Sequence, residues 1–434
     1  MLISLAISIA FIVLLVAGAP AAVALGLPSV VYFAFSRVNI ATVTYTLFDQ
    51  LKSFTLVAIP MFILMGNLIT TFRLSDDIFL FLKKAMGNKR GYSAKVNVLI
   101  SLIFSGMSGA AIADVGGLGQ MEVQAMEEEG YSLEYAGALT AATSTVGPVF
   151  PPSIPMVLYA MLAGTSSIKC LIGGVFPGIL MAVMMLLCVI YLDRTHLPKE
   201  VPEKYRHLQH AADSVTLSQS FWRAAPALLA VPIVLLSMFF GIFSPSETGA
   251  VAVVYVLFVS IFTKRTFSFQ KLWNCLKETF FMCASVVIIT ATGGLFSKVL
   301  SMERVPALLV SQINNLTSSP AVILILINLI LLVLGCFMSA TPALVLAVPI
   351  TVPLTTALGF DPVHIGVMMV LNLMIGYITP PFGASLYAAA KVCKVSPHRL
   401  IKECTILFIP LCIALIFTTF IPQLSVWLPN LMFR

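Results

Sequence analysis

Long apolar runs alternate with short polar intervals along almost the whole chain. In the first half the runs cover residues 2–18, 20–36, 54–73, 96–126, 133–165 and 171–193. In the second half they cover 224–243, 247–263, 279–300, 322–355, 362–390 and 402–425. About 20 apolar residues in a helix cross the hydrocarbon core of a bilayer, so most of these runs predict membrane-spanning helices. Residues 39–52, 74–86 and 304–317 place apolar side chains along one stripe and polar ones opposite, which predicts amphipathic helices lying at a surface. Asp193 to Arg223 is the one hydrophilic stretch of any length. It is too short to bury a core and predicts a loop.

Four runs depart from the simple pattern. Residues 96–126 and 322–355 are too long for one span and carry small or polar residues at their centres. The first centre reads Ser105-Gly106-Met107-Ser108-Gly109, and the second runs from Gly335 to Pro342. Such centres predict helices that break and turn back inside the membrane. Residues 133–165 and 362–390 each hold an adjacent proline pair, Pro151-Pro152 and Pro380-Pro381. Two consecutive prolines remove two helix donors and unwind the turn before them.

The irregular runs correspond to one another. With the chain shifted by 229 positions, Gly106 falls on Gly335, Ala111 on Ala340, Gly130 on Gly359 and Gly137 on Gly366. At the same shift Gly147 falls on Gly376 and both proline pairs coincide, without a gap. Two re-entrant hairpins give the repeats opposite topologies. Under that arrangement Arg37, Lys52, Lys169, Lys298, Arg304 and Arg434 lie on one side, and the other 19 of the 25 basic residues lie opposite. The basic-rich side is expected to be cytoplasmic. An inverted repeat with broken helices is the architecture of secondary transporters. Irregular backbone survives in a bilayer where it lines a cavity or is buried in protein. Freed carbonyls can then ligate a small hard cation, and freed N–H groups can face an anion.

Composition narrows the class. Hydrophobic residues make up 59% and charged residues 10%, against roughly 25% charged in soluble domains. The net charge of +7 reflects basic residues at segment ends, and no nucleic-acid partner is expected. The eight cysteines are scattered within apolar runs, without metal-ligand spacing, and read as small core residues. His196, His207, His210, His364 and His398 lie in or near loops and are expected to be solvated. Glu127 to Glu129 is expected to be a solvated helix end. No catalytic constellation is present, and no basic region precedes the first run to suggest a cleavable signal peptide.

Three stretches carry a family resemblance. Ser-Gly-Ala-Ala-Ile-Ala-Asp-Val-Gly-Gly-Leu-Gly at 108–119 resembles the first-hairpin motif of the large permease subunit of TRAP (tripartite ATP-independent periplasmic) transporters. Phe-Ser-Pro-Ser-Glu-Thr-Gly-Ala-Val-Ala-Val-Val-Tyr at 243–255 and Asn-Leu-Met-Ile-Gly-Tyr-Ile-Thr-Pro-Pro-Phe-Gly at 372–383 are similar to two further signatures of that family. The resemblance covers essentially the whole chain. It implies an all-α, polytopic membrane protein of elevator type, with an inverted repeat, two re-entrant helical hairpins and two broken helices. It also implies a bacterial inner-membrane location and sodium ions as the coupling ions, with no other cofactor. The implied partners are a small four-helix membrane subunit, a periplasmic substrate-binding protein, an organic anion and the lipid bilayer. On this reading 1–53 is a first scaffold segment with an arm helix, and 54–193 a first transport repeat with hairpin 96–126. A cytoplasmic loop follows at 194–223, then a second scaffold segment at 224–278. Residues 279–434 form a second transport repeat with hairpin 322–355. A standalone sodium-coupled dicarboxylate-type carrier is the alternative, although its Ser-Asn-Thr hairpin motifs are absent.

The candidate site follows from the irregular segments. Ser105, Gly106, Ser108 and Gly109 are expected to line a cavity with Gly335, Ser339, Ala340 and Thr341. Thr143, Ser144, Gly147 and Pro151 in the first repeat, and Asn372, Gly376, Thr379 and Pro380 in the second, are expected to complete two pseudo-symmetric sodium sites. Asp114 is ionisable inside a hairpin, which marks either function or hairpin packing. Ser244-Pro245-Ser246-Glu247 has the form of a capping box with proline at the first helical position, so Glu247 reads chiefly as structural.

Overall fold

A computed structural model describes residues 2–36, 38–87, 90–197, 215–305, 307–308, 311–312, 319–380 and 383–433. Most of the 304–317 stretch and most of the hydrophilic 193–223 stretch therefore lie outside the described residues. The described chain is helical throughout. The first half contains α1 (Leu2–Val16), α2 (Ala21–Phe35), α3 (Ala41–Leu51), α4 (Ala58–Thr71), α5 (Leu74–Met86) and α6 (Tyr92–Ser108). It continues with α7 (Ala111–Gly117), α8 (Gly119–Glu129), α9 (Leu133–Thr143), α10 (Ile154–Ala163), α11 (Ser167–Gly173) and α12 (Val175–His196). The second half contains α13 (Leu217–Leu228), α14 (Ala230–Phe239), α15 (Pro245–Phe258), α16 (Phe269–Met302) and α17 (Pro320–Phe337). It ends with α18 (Ala340–Ala357), α19 (Pro362–Gly376), α20 (Ala384–Cys393), α21 (Pro397–Phe420) and α22 (Gln423–Met432). Among the described residues, seven helical stretches are long and apolar enough to cross a membrane, or eight if the bent pair α13–α14 counts as one span.

Three spans differ from the hydropathy pattern. Residues 224–243 are not one straight helix, because α13 and α14 meet at a 45° bend with Pro226 inside α13. The run 279–300 extends to a 34-residue helix, α16. Its first turns carry Gln270, Lys271, Asn274 and Lys277, polar residues that end a hydropathy run without ending a helix. The run 402–425 is cut after Phe420, where α21 gives way to α22.

The capping box at α15 is present in both directions. Ser244 Oγ accepts from the Glu247 N–H, and Glu247 Oε2 accepts from the Ser244 N–H at 2.8 Å. Pro245 occupies the first helical turn, so Glu247 holds the helix start as its sequence suggests.

The repeat is visible in the helix boundaries. Helices start at Tyr92, Ala111, Leu133, Ile154 and Ser167 in the first repeat. Their counterparts start at Pro320, Ala340, Pro362, Ala384 and Pro397, each within a residue of the 229-residue shift. Packing obeys the same exchange. α10 packs on α18 and α20 on α7; α10 packs on α19 and α20 on α9; α11 packs on α19 and α21 on α9. Each contact joins one repeat to the other, and swapping the repeats turns one member of each pair into its mate. The core therefore lies between the repeats. The long helix α16 ties this core to earlier helices, packing on α2, α3, α4 and α18.

The hairpins are re-entrant for different reasons. The apolar stretch of α6, Tyr92–Phe104, is about 20 Å long at 1.5 Å per residue, short of the ~30 Å hydrocarbon core. α17 and α18, of 18 residues each, are long and apolar enough to be two spans. Ser339 of the turn between them instead lines the same cavity as the first hairpin tip, as in a pair that enters and returns.

Candidate functional site

The hairpin turns fall later than the small-residue centres suggest. α6 continues through Ser108, so Ser105 and Gly106 are in its helical body, and their side-chain placement lies outside what is described. The first turn is Gly109-Ala110. Gly109 has φ +64°, and a Cβ there would stand 2.6 Å from the Pro152 carbonyl oxygen. Only glycine meets both demands at low cost. The tip is thereby seated on the first break, and Ile154 N–H donates to the Gly109 carbonyl at 3.5 Å.

The second junction uses other chemistry. α17 ends at Phe337, Met338 and Ser339 turn in extended conformation, and α18 starts at Ala340. The Ala340 N–H donates to Tyr377 Oη at 3.0 Å, while the Tyr377 carbonyl accepts from Ser385 N–H at 3.1 Å. Tyr377 thus ties the second tip to the second break and to α20. One turn back, Gly335 and Gly376 press backbone to backbone: a Cβ on Gly376 would stand 2.4 Å from the Gly335 carbonyl carbon.

Both breaks interrupt the helix where the proline pairs require it. After α9, residues 144–146 form one 3-10 turn, the chain runs irregularly to Ser153, and Pro151-Pro152 is cis. Ser153 caps α10 by accepting from Met156 N–H at 3.1 Å, and its hydroxyl donates to the Pro148 carbonyl. Residues 141–160 are all buried, as non-helical backbone at membrane depth must be. The second break differs, because Thr379 is half-buried and Pro380 exposed. Pro381 lies outside the described residues. Thr379 and Pro380 edge a small separate cavity of about 170 Å³ against Ile401, Cys404 and Phe408.

The two tips meet at a cavity of about 310 Å³. The first repeat contributes Gly109 to Ala113, Pro148, Ile154 and Pro155, and the second contributes Ser339, Ala340, Thr341, Met374 and Tyr377. α16 adds Met282, Ser285, Val286 and Ile289. The wall is mostly apolar, with hydroxyls of Ser285, Ser339, Thr341 and Tyr377, and the N-terminus of the 18-residue α18 opens onto it. That volume and lining suit a small ligand fixed by a few polar groups. An exposed helix N-terminus favours an anion. Among the described residues, no Lys or Arg lines it.

Of the expected site residues, Gly109, Ser339, Ala340 and Thr341 line this cavity. Thr379 and Pro380 edge the separate cavity, and several others are buried in the packing around the tips. Ser108 is buried against Gly66 of α4 and donates its hydroxyl to Asp114 Oδ1 across the turn. Thr143 donates to Asn97 Oδ1 at 2.7 Å and to the Leu139 carbonyl at 3.0 Å. Ser144 donates to the Ala141 carbonyl, and Gly147 and Pro151 lie in the buried break. Asn372, fully buried, donates to Asn328 Oδ1 at 2.7 Å and to the Asn328 carbonyl at 2.9 Å. The pairs Asn97–Thr143 and Asn328–Asn372 both join a hairpin's outbound helix to the adjacent broken helix.

Sequence reasoning missed Asn97, Asn328, Ser285 and Tyr377. A lone amide at the centre of an apolar helix was the available signal for Asn97 and Asn328. Tyr377 sat inside the 372–383 motif. It also misplaced two groups. His364 is fully buried within α19, and Glu129 is 5% exposed, with Ser93 donating to it from both N–H (3.0 Å) and hydroxyl (2.5 Å). Glu129, at a helix end, turns inward because Ser93 is at hand as a partner, which a hydropathy window cannot register.

The polar base of the first hairpin is likewise knitted together. Lys95 pairs with Asp193 at 2.6 Å, and Tyr131 Oη donates to the other Asp193 oxygen at 2.6 Å. Asp193 thus fixes α12 against both arms of the hairpin.

Comparison with known proteins agrees with this architecture. The family model described as "Tripartite ATP-independent periplasmic transporter, DctM component" matches residues 8–424. The chain is 36% identical to the sialic acid TRAP transporter large permease protein SiaM of Vibrio cholerae, over 88% of this chain and 87% of that protein. It is 32% identical to the C4-dicarboxylate TRAP transporter large permease protein DctM of the same organism, over 99% and 98% of the two chains. In fold it is similar to the crystal structure of the Alcanivorax borkumensis YdaH transporter, with a TM-score of 0.64 at 16% identity, covering 91% of this chain and 90% of that one. Family, hydropathy and helix count agree on a multi-pass protein of the bacterial inner membrane that is a permease and not an enzyme. The chain belongs to the large permease (DctM) component of the tripartite ATP-independent periplasmic transporters.

Proposed function

We propose that this permease imports a small organic anion, a carboxylate or an acidic sugar, through the cavity between its hairpin tips, and that an inward sodium gradient drives the step. The observation that carries the reading is the meeting of both tips at one cavity that joins an apolar wall, four hydroxyls and the N-terminus of α18. With no basic side chain in the lining, the anion's charge needs other compensation. Sodium held at the two breaks, near Ser144 and Gly147 in the first repeat and Gly376 and Thr379 in the second, would supply it. The two repeats would move against the scaffold as one body, since each is packed chiefly on the other, in the manner of an elevator.

The family's working arrangement supports the proposed partners: a small four-helix membrane subunit to brace the scaffold and a periplasmic binding protein to deliver substrate. Relatives named for sialic acid, C4-dicarboxylates and isethionate support an organic acid as substrate. The test is reconstitution of the chain with both partners in proteoliposomes, followed by uptake of labelled organic acids with and without a sodium gradient. Sodium-dependent uptake that needs all three proteins is expected. Uptake by this chain alone would identify a standalone sodium-coupled dicarboxylate-type carrier, and uptake indifferent to sodium would refute the coupling.

A further inference from the structure

The return arm of the first hairpin buries a carboxyl that the cavity does not use. Glu122 of α8 is 2% exposed and does not line the cavity. Its surroundings come from three helices. Ser101 of α6 and Thr140 of α9 bring hydroxyls to the carboxyl. Asn97 Nδ2 donates to Thr140 Oγ1 at 2.7 Å, which turns the Thr140 proton toward Glu122. Asn97 Oδ1 is itself occupied by the Thr143 hydroxyl. Glu122 Oε1 is buried and has no hydrogen-bond partner among the described residues.

Among the described residues no basic group faces this carboxyl. From α7 the charged neighbour is Asp114, also acidic, with its own Oδ2 buried and unpartnered. Lys95 of α6 is held by Asp193 and the Gly91 carbonyl. α20 presents aliphatic Val392 toward Gly119, and its Lys391 is exposed. On α8 itself Glu129 is held by Ser93. A buried carboxylate without a cation is strongly disfavoured, so the site must take up a positive charge. A bare metal ion requires a full shell of oxygens. Ser101, Thr140 and the two oxygens of Glu122 supply four, short of a full shell, and the Asn97 amide oxygen already accepts a hydrogen bond from Thr143. A proton needs no shell.

We propose that Glu122 is a proton-binding site at the root of the first hairpin, distinct from the cavity and from both helix breaks. The proton resides on the carboxyl while α8 is seated against α6 and α9, so its release requires that seat to loosen or hydrate. The site does not depend on how the permease is energised.

The test is infrared spectroscopy of the full chain in nanodiscs at neutral pH, wild type minus E122Q. A carbonyl-stretch band of a protonated carboxyl, sensitive to deuterium exchange, is expected in the wild type and absent from E122Q, and it persists in D114N. Absence of the band overturns the proposal. So does a carboxylate band that shifts when sodium replaces potassium, which would make the site a metal site. Loss of the band in D114N but not in E122Q would place the proton on Asp114 and equally overturn it. Should E122Q not fold, carbodiimide labelling of the wild type decides: modification at Glu122 that declines as pH rises is expected, and none at any pH refutes the site.

Discussion

The Gly335–Gly376 contact yields the sharpest quantitative prediction. A Cβ built on Gly376 stands 2.4, 2.5 and 2.8 Å from the carbonyl carbon, Cα and carbonyl oxygen of Gly335. All three are backbone atoms, so no rotamer change relieves the clash. Ordinary contact begins near 3.4 Å, so in Gly376→Ala the helices α17 and α19 must part by about 1 Å. Overpacking of this kind costs about 1–3 kcal/mol, and a contact between two backbones lies at the upper end. Alanine recovers up to about 1 kcal/mol of helix propensity, leaving a net loss of about 2 kcal/mol. Thermal unfolding of the purified chain in detergent, followed by a fluorescent thiol probe or light scattering, should show Tm falling by roughly 3 °C. Gly116→Ala is the control. Gly116 is exposed in α7 with nothing near its Cβ position, so Tm should hold or rise slightly. Because Ser339 lies four residues beyond Gly335, G376A should also reduce uptake. A G376A protein as stable as the wild type, with G116A unchanged beside it, would refute the close approach and the seat of the second hairpin built on it.

Further outcomes follow from the buried polar pairs and caps. Asn372→Ala strands the Asn328 side chain that it engages at 2.7 Å and should cost about 1–3 kcal/mol; a Tm cycle with N328A should show the double variant losing less than the sum, and strict additivity would contradict the pairing. Burial holds the Glu129 carboxyl above its usual range despite two hydrogen bonds from Ser93. The folded state therefore binds the proton more tightly than the unfolded one, and Glu129's contribution to stability falls as pH rises above the ordinary carboxyl value of about 4.5. E129Q should flatten the decline of Tm with pH above that point, and an unchanged slope would show that Glu129 does not titrate differently on folding. Ser244→Ala removes the α15 cap and should lower stability by about 1 kcal/mol, read as a small Tm loss that Ser244→Thr largely avoids.

Much of this molecule is written in its one-dimensional pattern. Hydropathy determines that the chain lives in a bilayer, because its apolar surface has no other home. The paired Pro-Pro motifs determine where two helices must break, since proline's missing donor is a local fact. The 229-residue correspondence determines that there are two like units, and the capping box at Ser244 and Glu247 announces α15 within four residues. What needed the tertiary structure was everything decided by approach. The small residues at Ser105 to Gly109 suggested a turn, yet α6 runs through Ser108, because the turn falls where Gly109 meets the Pro152 carbonyl from a distant segment. Gly335 looked like a tip residue and is instead a contact surface for Gly376. Asn97, Asn328 and Glu122 stand apart in the sequence, and packing between α6, α8 and α9, and between α17 and α19, sets them against partners on other helices. Local rules act through bonds and neighbours in sequence. Burial, pairing of polar groups and the cavity between the tips depend on which surfaces the fold brings together, and so only the assembled repeats could decide them.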